Sequence, residues 1–266
     1  MSLNFAGISP HPPIIIPEIG KEDLSKVAKT VAALQKLANH LNKAEVETLI
    51  IISPHGLVYP DRFNISVMKK SFSTFAEFDE PNLVFEYKND LELVDKILEN
   101  AEKNNLAIMP FDNGGDFYEM DHGMMVPLYY LRREIETSLK IIPINYANLD
   151  RAQHFSFGQV LGETIRNYPG RVGILASGDL SHQLIQRPET KKFDLKLIDD
   201  LKNNRIQDIL YYDDEMVDNW SECGYRSILI LLGALDTMKI NPEILSYEGP
   251  FGVGYAVANF DLPEGD

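Results

Sequence analysis

Residues 48–56 read TLIIISPHG, and residues 3–12 read LNFAGISPHP. Each stretch is an apolar run typical of a buried strand, followed at once by the sequence Ser-Pro-His. Proline has no backbone N–H for a sheet ladder and restricts the residue before it, so each strand must end there. If the two strands are parallel, His11 and His55 lie at the same edge of one sheet.

The composition is that of an ordinary globular protein. The chain has 266 residues, of which 44% are hydrophobic and 24% are charged, enough for one large domain or two small ones. We expect no secretory signal, because no basic segment precedes an apolar one at the amino terminus. A single cysteine excludes an internal disulfide and favours a cytoplasmic location.

The formal charge of −15 limits the classes of partner. A negative field repels phosphate backbones and anionic lipid surfaces, so we expect neither nucleic acid nor a membrane as a partner. No apolar run approaches the roughly 20 residues that a membrane-spanning helix needs. The acidic residues are spread along the chain and not gathered into a tail, so we expect them to serve solubility.

Strand-like and helix-like segments alternate along the chain. Apolar spacing predicts helices at residues 22–42, 92–104, 152–167, 192–203, 205–212 and 223–238. Strands are predicted at residues 2–9, 48–53, 63–69, 139–145, 171–177, 243–247 and 254–260. This alternation predicts an α/β fold: a single domain over residues 1–266 with a central, mostly parallel or mixed sheet flanked by helices. Residues 70–90 and 105–121 are expected to be long irregular loops that shape a pocket.

The six histidines fall into two groups. Four lie at predicted strand ends or at the start of an apolar helical run: His11, His55, His122 and His182. Because the ends of parallel strands converge on one edge of a sheet, we expect these four to share a polar or metal site. His40 and His154 lie near helix ends among polar neighbours, and we expect both on the surface.

Imidazole and carboxylate groups are the donors that this site offers. Such donors suit divalent iron, manganese or zinc, and two histidines with one carboxylate are typical of non-haem Fe(II) oxygen chemistry. His11 and His55 are the candidate nitrogen pair. Glu222 and Glu248 are both candidates for the carboxylate, while Asp179 is placed to orient an imidazole. The same donors could hold zinc in a hydrolase. The sequence lacks a Gly-x-Ser-x-Gly elbow, a Walker loop and a dinucleotide fingerprint after a strand.

Five short segments occur in a fixed order: Ser-Pro-His-Pro-Pro at 9–13, Ser-Pro-His-Gly at 53–56, Asp-His-Gly at 121–123, Ser-Gly-Asp-Leu-Ser-His at 177–182, and Glu-Cys-Gly at 222–224 before an apolar helix. In this order they resemble the class III extradiol ring-cleavage dioxygenases, and specifically their catalytic B subunits, whose fold the Memo proteins share. The resemblance covers residues 5 to about 258.

The resemblance implies one non-haem Fe(II), with Zn²⁺ or Mn²⁺ as substitutes. By position, His11 and His55 would be iron ligands. Glu222 is the best match for the carboxylate ligand, and Glu248 is the second.

The resemblance also implies the reaction. His182 would be the acid/base residue, and His122 would line the pocket of a small catechol-like or aminophenol-like substrate that is opened with O₂. A homodimer or a small helical partner subunit would fit the family. The alternative is a Memo-like metal-binding or interaction protein with little dioxygenase activity, because in Memo proteins the matching histidine sits at the metal and a cysteine like Cys223 lies nearby.

Overall fold

The strands form two sheets in residues 2–132 and 139–263, the part of the chain that this computed structural model describes. They are β1 (Leu3–Ser9), β2 (Thr48–Ser53), β3 (Phe63–Ser66), β4 (Lys70–Phe75), β5 (Glu80–Lys88), β6 (Ile108–Phe111), β7 (Tyr118–Glu119), β8 (Lys140–Asn145), β9 (Val172–Ser177), β10 (Asn241–Glu248) and β11 (Tyr255–Asp261). Eight strands form a mixed sheet in the order β10-β11-β1-β9-β2-β8-β3-β6, and the other three form a small sheet in the order β5-β4-β7.

Helices cover both faces of the large sheet. They are α1 (Pro17–Gly20), α2 (Ala28–Lys43), α3 (Leu91–Lys103), α4 (His122–Leu131), α5 (Arg151–Arg166), α6 (Lys191–Lys202), α7 (Ile206–Leu210), α8 (Asp214–Trp220) and α9 (Tyr225–Ala234). Ile50 and Ile52 of β2 pack into a core that includes α3, α5 and α9. Leu49 and Ile51 pack into a second core, with α2 and α4. This alternation along one strand shows that the two cores lie on opposite faces of the sheet.

The predicted α/β fold with a central mixed sheet is confirmed. The four central strands β1, β9, β2 and β8 are parallel, with Ser9 opposite Ser177 and Ser53 opposite Asn145. Their carboxyl ends therefore stop at nearly the same level. The loops that leave this edge start close together, which is the usual position of a site in an open α/β sheet.

The expectation of irregular loops at residues 70–90 and 105–121 is wrong. β4 and β5 form an antiparallel hairpin, and β7 pairs with β4. Residues 108–111 form β6 at the edge of the large sheet. In β4 buried positions alternate with less buried ones, but Ser and Thr among the phenylalanines make the segment look like a loop.

Several helix and strand ends also differ from the sequence predictions. The helix predicted at 22–42 begins as a 3₁₀ helix over Lys21–Val27 and becomes α-helical at Ala28. The last helix begins at Tyr225 and not at Cys223. Among the described residues, no helix is both long enough and apolar enough to cross a membrane.

Candidate metal centre

Loops at the carboxyl edge of the sheet bring His11, His55 and Cys223 together. The Nε2 atoms of His11 and His55 are 2.8 Å apart, and the Sγ of Cys223 is 3.5 Å from His11 Nε2. All three donor atoms lie within 4.8 Å of one another. Two nitrogens bound to one metal at about 2.1 Å each lie about 3 Å apart. The spacing of these donors fits a single divalent cation.

The hydrogen bonds of His11 leave its Nε2 lone pair available. Its Nδ1 lies 2.9 Å from the Ser177 hydroxyl, and that hydroxyl donates to the carbonyl oxygen of Gly123. Ser177 can therefore only accept from His11, so Nδ1 carries the proton and Nε2 is the unprotonated nitrogen that faces His55 and Cys223. A hydrogen bond on the far nitrogen fixes the tautomer and the ring orientation in the same way in many metal sites.

The histidines of the cluster are uncharged at neutral pH. Burial, followed by the charges of His122 and His182, lowers the pKa of His55 to about 4. Burial and the three other histidines lower the pKa of His11 well below its usual value. Neutral imidazole is the form that binds a metal cation, so a lowered pKa leaves the ring nitrogens able to act as ligands at neutral pH.

His122 and His182 both lie beside this pair. The ring of His122 stacks on that of His55 with centroids 4.3 Å apart, and it is 5.5 Å from the ring of His11. His182 comes after β9, and its backbone N–H donates to the carbonyl of Ser221, two residues before Cys223, at 2.9 Å. The charge of His182 also lowers the pKa of both His11 and His55. The structure thus brings together the four histidines that the sequence grouped, while their roles stay predictions.

The two candidate carboxylates have other contacts. Glu222 accepts a hydrogen bond from the backbone N–H of Tyr225 in the first turn of α9, and burial raises its pKa to about 7. Glu248 accepts from both the N–H and the hydroxyl of Thr30, each at 2.7 Å. The third donor next to the histidines is Cys223, the residue after Glu222. The assignment of Glu222 as a ligand stays a prediction.

Asp121 and Gly123 explain why an Asp-His-Gly segment occurs here. Asp121 accepts a hydrogen bond of 2.6 Å from the hydroxyl of Ser53, which in turn accepts from the N–H of His55 at 3.3 Å. A Cβ on Gly123 would lie 2.4 Å from that hydroxyl oxygen. Burial raises the pKa of Asp121 above its ordinary value. Asp121 therefore orders the loop that carries His55, and only glycine fits beside it.

The sequence analysis missed Phe78, which also lies at the site. The tip of the β4–β5 hairpin places its ring 6.0 Å from that of His122. The rings of Phe78, His122 and His55 thus form a continuous aromatic row. No sequence motif marks Phe78, because its position depends on how the hairpin folds over the sheet edge.

His154 is buried and not on the surface, so that expectation is wrong. It is 0% exposed and packs edge-on against the ring of Phe63 at 5.2 Å. Its ring nitrogens lie 2.7 Å and 3.1 Å from the carbonyl oxygens of Asp150 and Ala147. His40 is half-buried near the end of α2. The sequence correctly places His154 in a helix, but it does not show which face of that helix is buried.

We expect His154 to make folding stability depend on pH. Burial lowers its folded-state pKa to about 4, whereas an unfolded histidine titrates near about 6.5. Between about pH 4 and about 6.5 the unfolded chain binds a proton at His154 more readily than the folded chain does. The free energy of unfolding therefore falls by about 1.4 kcal/mol for each unit that the pH drops from about 6.5 to about 4. Urea unfolding from about pH 7.5 to about 5 should show a smaller slope in His154→Gln. Equal slopes in the wild type and in His154→Gln would contradict the assignment.

The chain matches a known protein family over most of its length. The family described as the catalytic LigB subunit of aromatic ring-opening dioxygenase matches residues 6–258. The chain belongs to this family. The matched residues include the donor cluster of His11, His55 and Cys223 at the sheet edge.

Three curated relatives differ in what their names say. Protein CA_C1420 of Clostridium acetobutylicum is 34% identical over 100% of this chain and 59% of its own length. A MEMO1 family protein of Methanosarcina mazei is 29% identical over 75% of this chain and 67% of its own length. The 3,4-dihydroxyphenylacetate 2,3-dioxygenase of Escherichia coli is 23% identical over 74% of this chain and 70% of its own length. The chain thus spans less than two thirds of the first of these relatives.

Proposed function

We propose that this protein is a non-haem Fe(II)-dependent extradiol dioxygenase that opens a catechol-like or aminophenol-like ring with O₂. The cluster of His11 and His55 at the sheet edge, with His122 and His182 beside it, carries the proposal. LigB family membership and the ring-cleaving E. coli relative support it. A homodimer or small helical partner subunit and a cytoplasmic location stay predictions.

His11 and His55 would hold the metal, which, when bound, supplies positions for the substrate hydroxyls and for oxygen. Two residues compete for the third ligand position. Glu222 is the match from sequence, and Cys223 has its donor atom next to His11 Nε2. Burial raises the pKa of the Cys223 thiol well above its usual value, so a thiolate there needs a nearby cation.

His182 would act as the acid/base residue. Partial burial lowers its pKa below the ordinary value, which favours the neutral imidazole that can accept a proton from a substrate hydroxyl. His122 and Phe78 present an aromatic wall beside His55, which suits a planar ring. The chain therefore offers a base and an apolar surface next to the donor cluster.

A Memo-like metal-binding protein with little dioxygenase turnover is the second candidate. The position of Cys223 in the donor cluster favours it, and so does the MEMO1 family relative. In this function His182 would itself bind the metal, and removal of its imidazole would weaken metal binding.

Oxygen consumption tests the proposed function. Protein purified without oxygen, loaded with Fe²⁺ and mixed with a panel of catechols and aminophenols, should consume O₂ and form a yellow ring-opened product with at least one of them. The matched control is the same protein loaded with Zn²⁺, which has no redox chemistry and should give neither signal. Absence of oxygen uptake across the panel with full iron occupancy would contradict the proposal and favour the second candidate.

A further inference from the structure

Asp194 of α6 is a buried carboxylate outside the donor cluster. It is 0% exposed and accepts three hydrogen bonds: from the N–H of Ser181 at 3.0 Å, from the indole N–H of Trp220 at 2.5 Å and from the hydroxyl of Tyr247 at 2.7 Å. A buried carboxylate without partners is strongly unfavourable, and three donors compensate for its loss of water. None of these donors lies on α6, so the carboxylate links separate parts of the chain.

Two of the donors lie next to the candidate site residues. Ser181 directly precedes His182, and Trp220 ends α8 just before the segment 221–224 that contains Glu222 and Cys223. Both donate to the same oxygen, Oδ1 of Asp194. We call residues 178–182 the histidine loop and residues 221–224 the cysteine loop. One oxygen atom thus holds both Ser181 of the histidine loop and Trp220, the residue before the cysteine loop.

The two loops also contact each other directly. The N–H of His182 donates to the carbonyl of Ser221 at 2.9 Å, and the N–H of Cys223 donates to the carbonyl of Asp179 at 3.2 Å. A Cβ on Gly178 would lie only 2.0 Å from the Cα of Gly224. A shift of one loop must therefore move the other.

Gly254 completes the arrangement on the side of β11. A Cβ at this position would lie 2.3 Å from Oδ2 of Asp194. The N–H of Gly254 donates to the carbonyl of Ser181 at 2.8 Å, and its own carbonyl accepts from the N–H of Leu180 at 2.8 Å. Gly254, the residue before β11, thus allows the backbone to pack closely against the carboxylate of Asp194.

We propose that Asp194 is a positioning residue that holds the histidine loop and the cysteine loop in the mutual placement that the site requires. Its effect on turnover rests on the proposed function. The loop placement does not, because it can be measured in protein without metal or substrate.

Asp200 provides a matched control on the same helix. It is 1% exposed and also has three donors: Lys196 at 2.8 Å, Arg205 at 2.7 Å and Tyr212 at 2.5 Å. These donors lie on α6 and in the segments on either side of α7, and none belongs to either loop. Loss of Asp200 removes three buried hydrogen bonds of similar length, none of which involves Ser181 or Trp220.

The test compares Asp194→Ala, Asp194→Asn and Asp200→Ala in metal-free protein labelled with ¹³C and ¹⁵N in histidine. We expect Asp194→Ala to shift and broaden the ring signals of His182, while Asp200→Ala leaves them unchanged. Asp194→Asn should restore most of the wild-type spectrum, because the amide oxygen still accepts from Ser181 and Trp220. In the iron-loaded enzyme, Asp194→Ala should lower kcat by up to about 100-fold, the cost of displacing a reacting group by about 1 Å, with little change in KM.

Two results would overturn the inference. One is an Asp194→Ala protein with wild-type His182 signals, and the other is an equal change in Asp200→Ala. If Asp194→Ala does not fold, Trp220→Phe removes one of the two donors to Oδ1 and should move the same signals in the same direction, whereas an unchanged spectrum would contradict the inference. The wild-type protein could show no ring cleavage while Asp194→Ala still moves the His182 signals. That result would contradict the proposed function and support this inference.

Discussion

Replacement of His11 by alanine is expected to weaken the binding of Fe²⁺ or Co²⁺ by more than about 100-fold, since even the loss of an outer partner costs about 10–100-fold. His11 is 2% exposed, and its Nε2 contacts both His55 and Cys223. The bond to Ser177 keeps that nitrogen unprotonated. Anaerobic titration with Co²⁺, followed by visible absorption, measures the affinity, and turnover should be lost in parallel.

His40→Ala is the control for this titration. His40 is a half-buried histidine on α2, outside the donor cluster, so its loss should leave the affinity unchanged. Wild-type affinity in His11→Ala would show that the cluster is not the metal site.

The same titration identifies the third ligand. If Cys223 binds the metal, Cys223→Ser removes the thiolate-to-Co²⁺ charge-transfer absorption that the wild type shows. If Glu222 is the ligand, Glu222→Gln weakens binding instead. Glutamine keeps an oxygen that can accept from the N–H of Tyr225, so the start of α9 stays intact and a loss of affinity reports on the metal.

Replacement of His182 by alanine is expected to lower kcat by about 10²–10⁴-fold, the usual contribution of a general acid or base. Metal affinity should stay within about twofold of the wild type, below the effect of losing even an outer partner of a metal ligand. The backbone bond from residue 182 to Ser221 does not depend on the side chain, so the loop should keep its place. Steady-state kinetics with the best substrate and Co²⁺ titration of the same preparation measure both effects.

The two candidate functions differ in this variant. A dioxygenase that uses His182 only for proton transfer loses turnover and keeps its metal. If His182→Ala lost the metal together with turnover, His182 would be a ligand, and the Memo-like function would be favoured.

The centre of the sheet could be predicted because its strands carry their own signal. β2 is a continuous apolar run that ends at Ser-Pro-His, and its predicted bounds match the structure. The hairpin of β4 and β5 carries no such signal, because its strands pair mainly with each other and stay partly exposed. Which segments pair is decided by tertiary packing, which a short polar-looking sequence does not reveal.

The site was predictable to the extent that it lies at strand ends. The grouping of four histidines follows from that placement, and the structure brings all four together. The choice between Glu222 and Cys223 does not follow, because adjacent loop residues point in directions that only the folded loop defines. The role of Asp194 could not be predicted for a related reason: it is one of three aspartates in a charged helix, and only packing shows that it is buried.

Isotope incorporation tests the central claim most directly. Iron-loaded protein supplied with ¹⁸O₂ and a catechol that it consumes should yield a ring-opened product that carries two ¹⁸O atoms, as mass spectrometry would show. The His11→Ala protein should form no labelled product. A product without ¹⁸O, or no product from any catechol or aminophenol while the site is filled with Fe²⁺, would contradict the assignment of this protein as an extradiol dioxygenase.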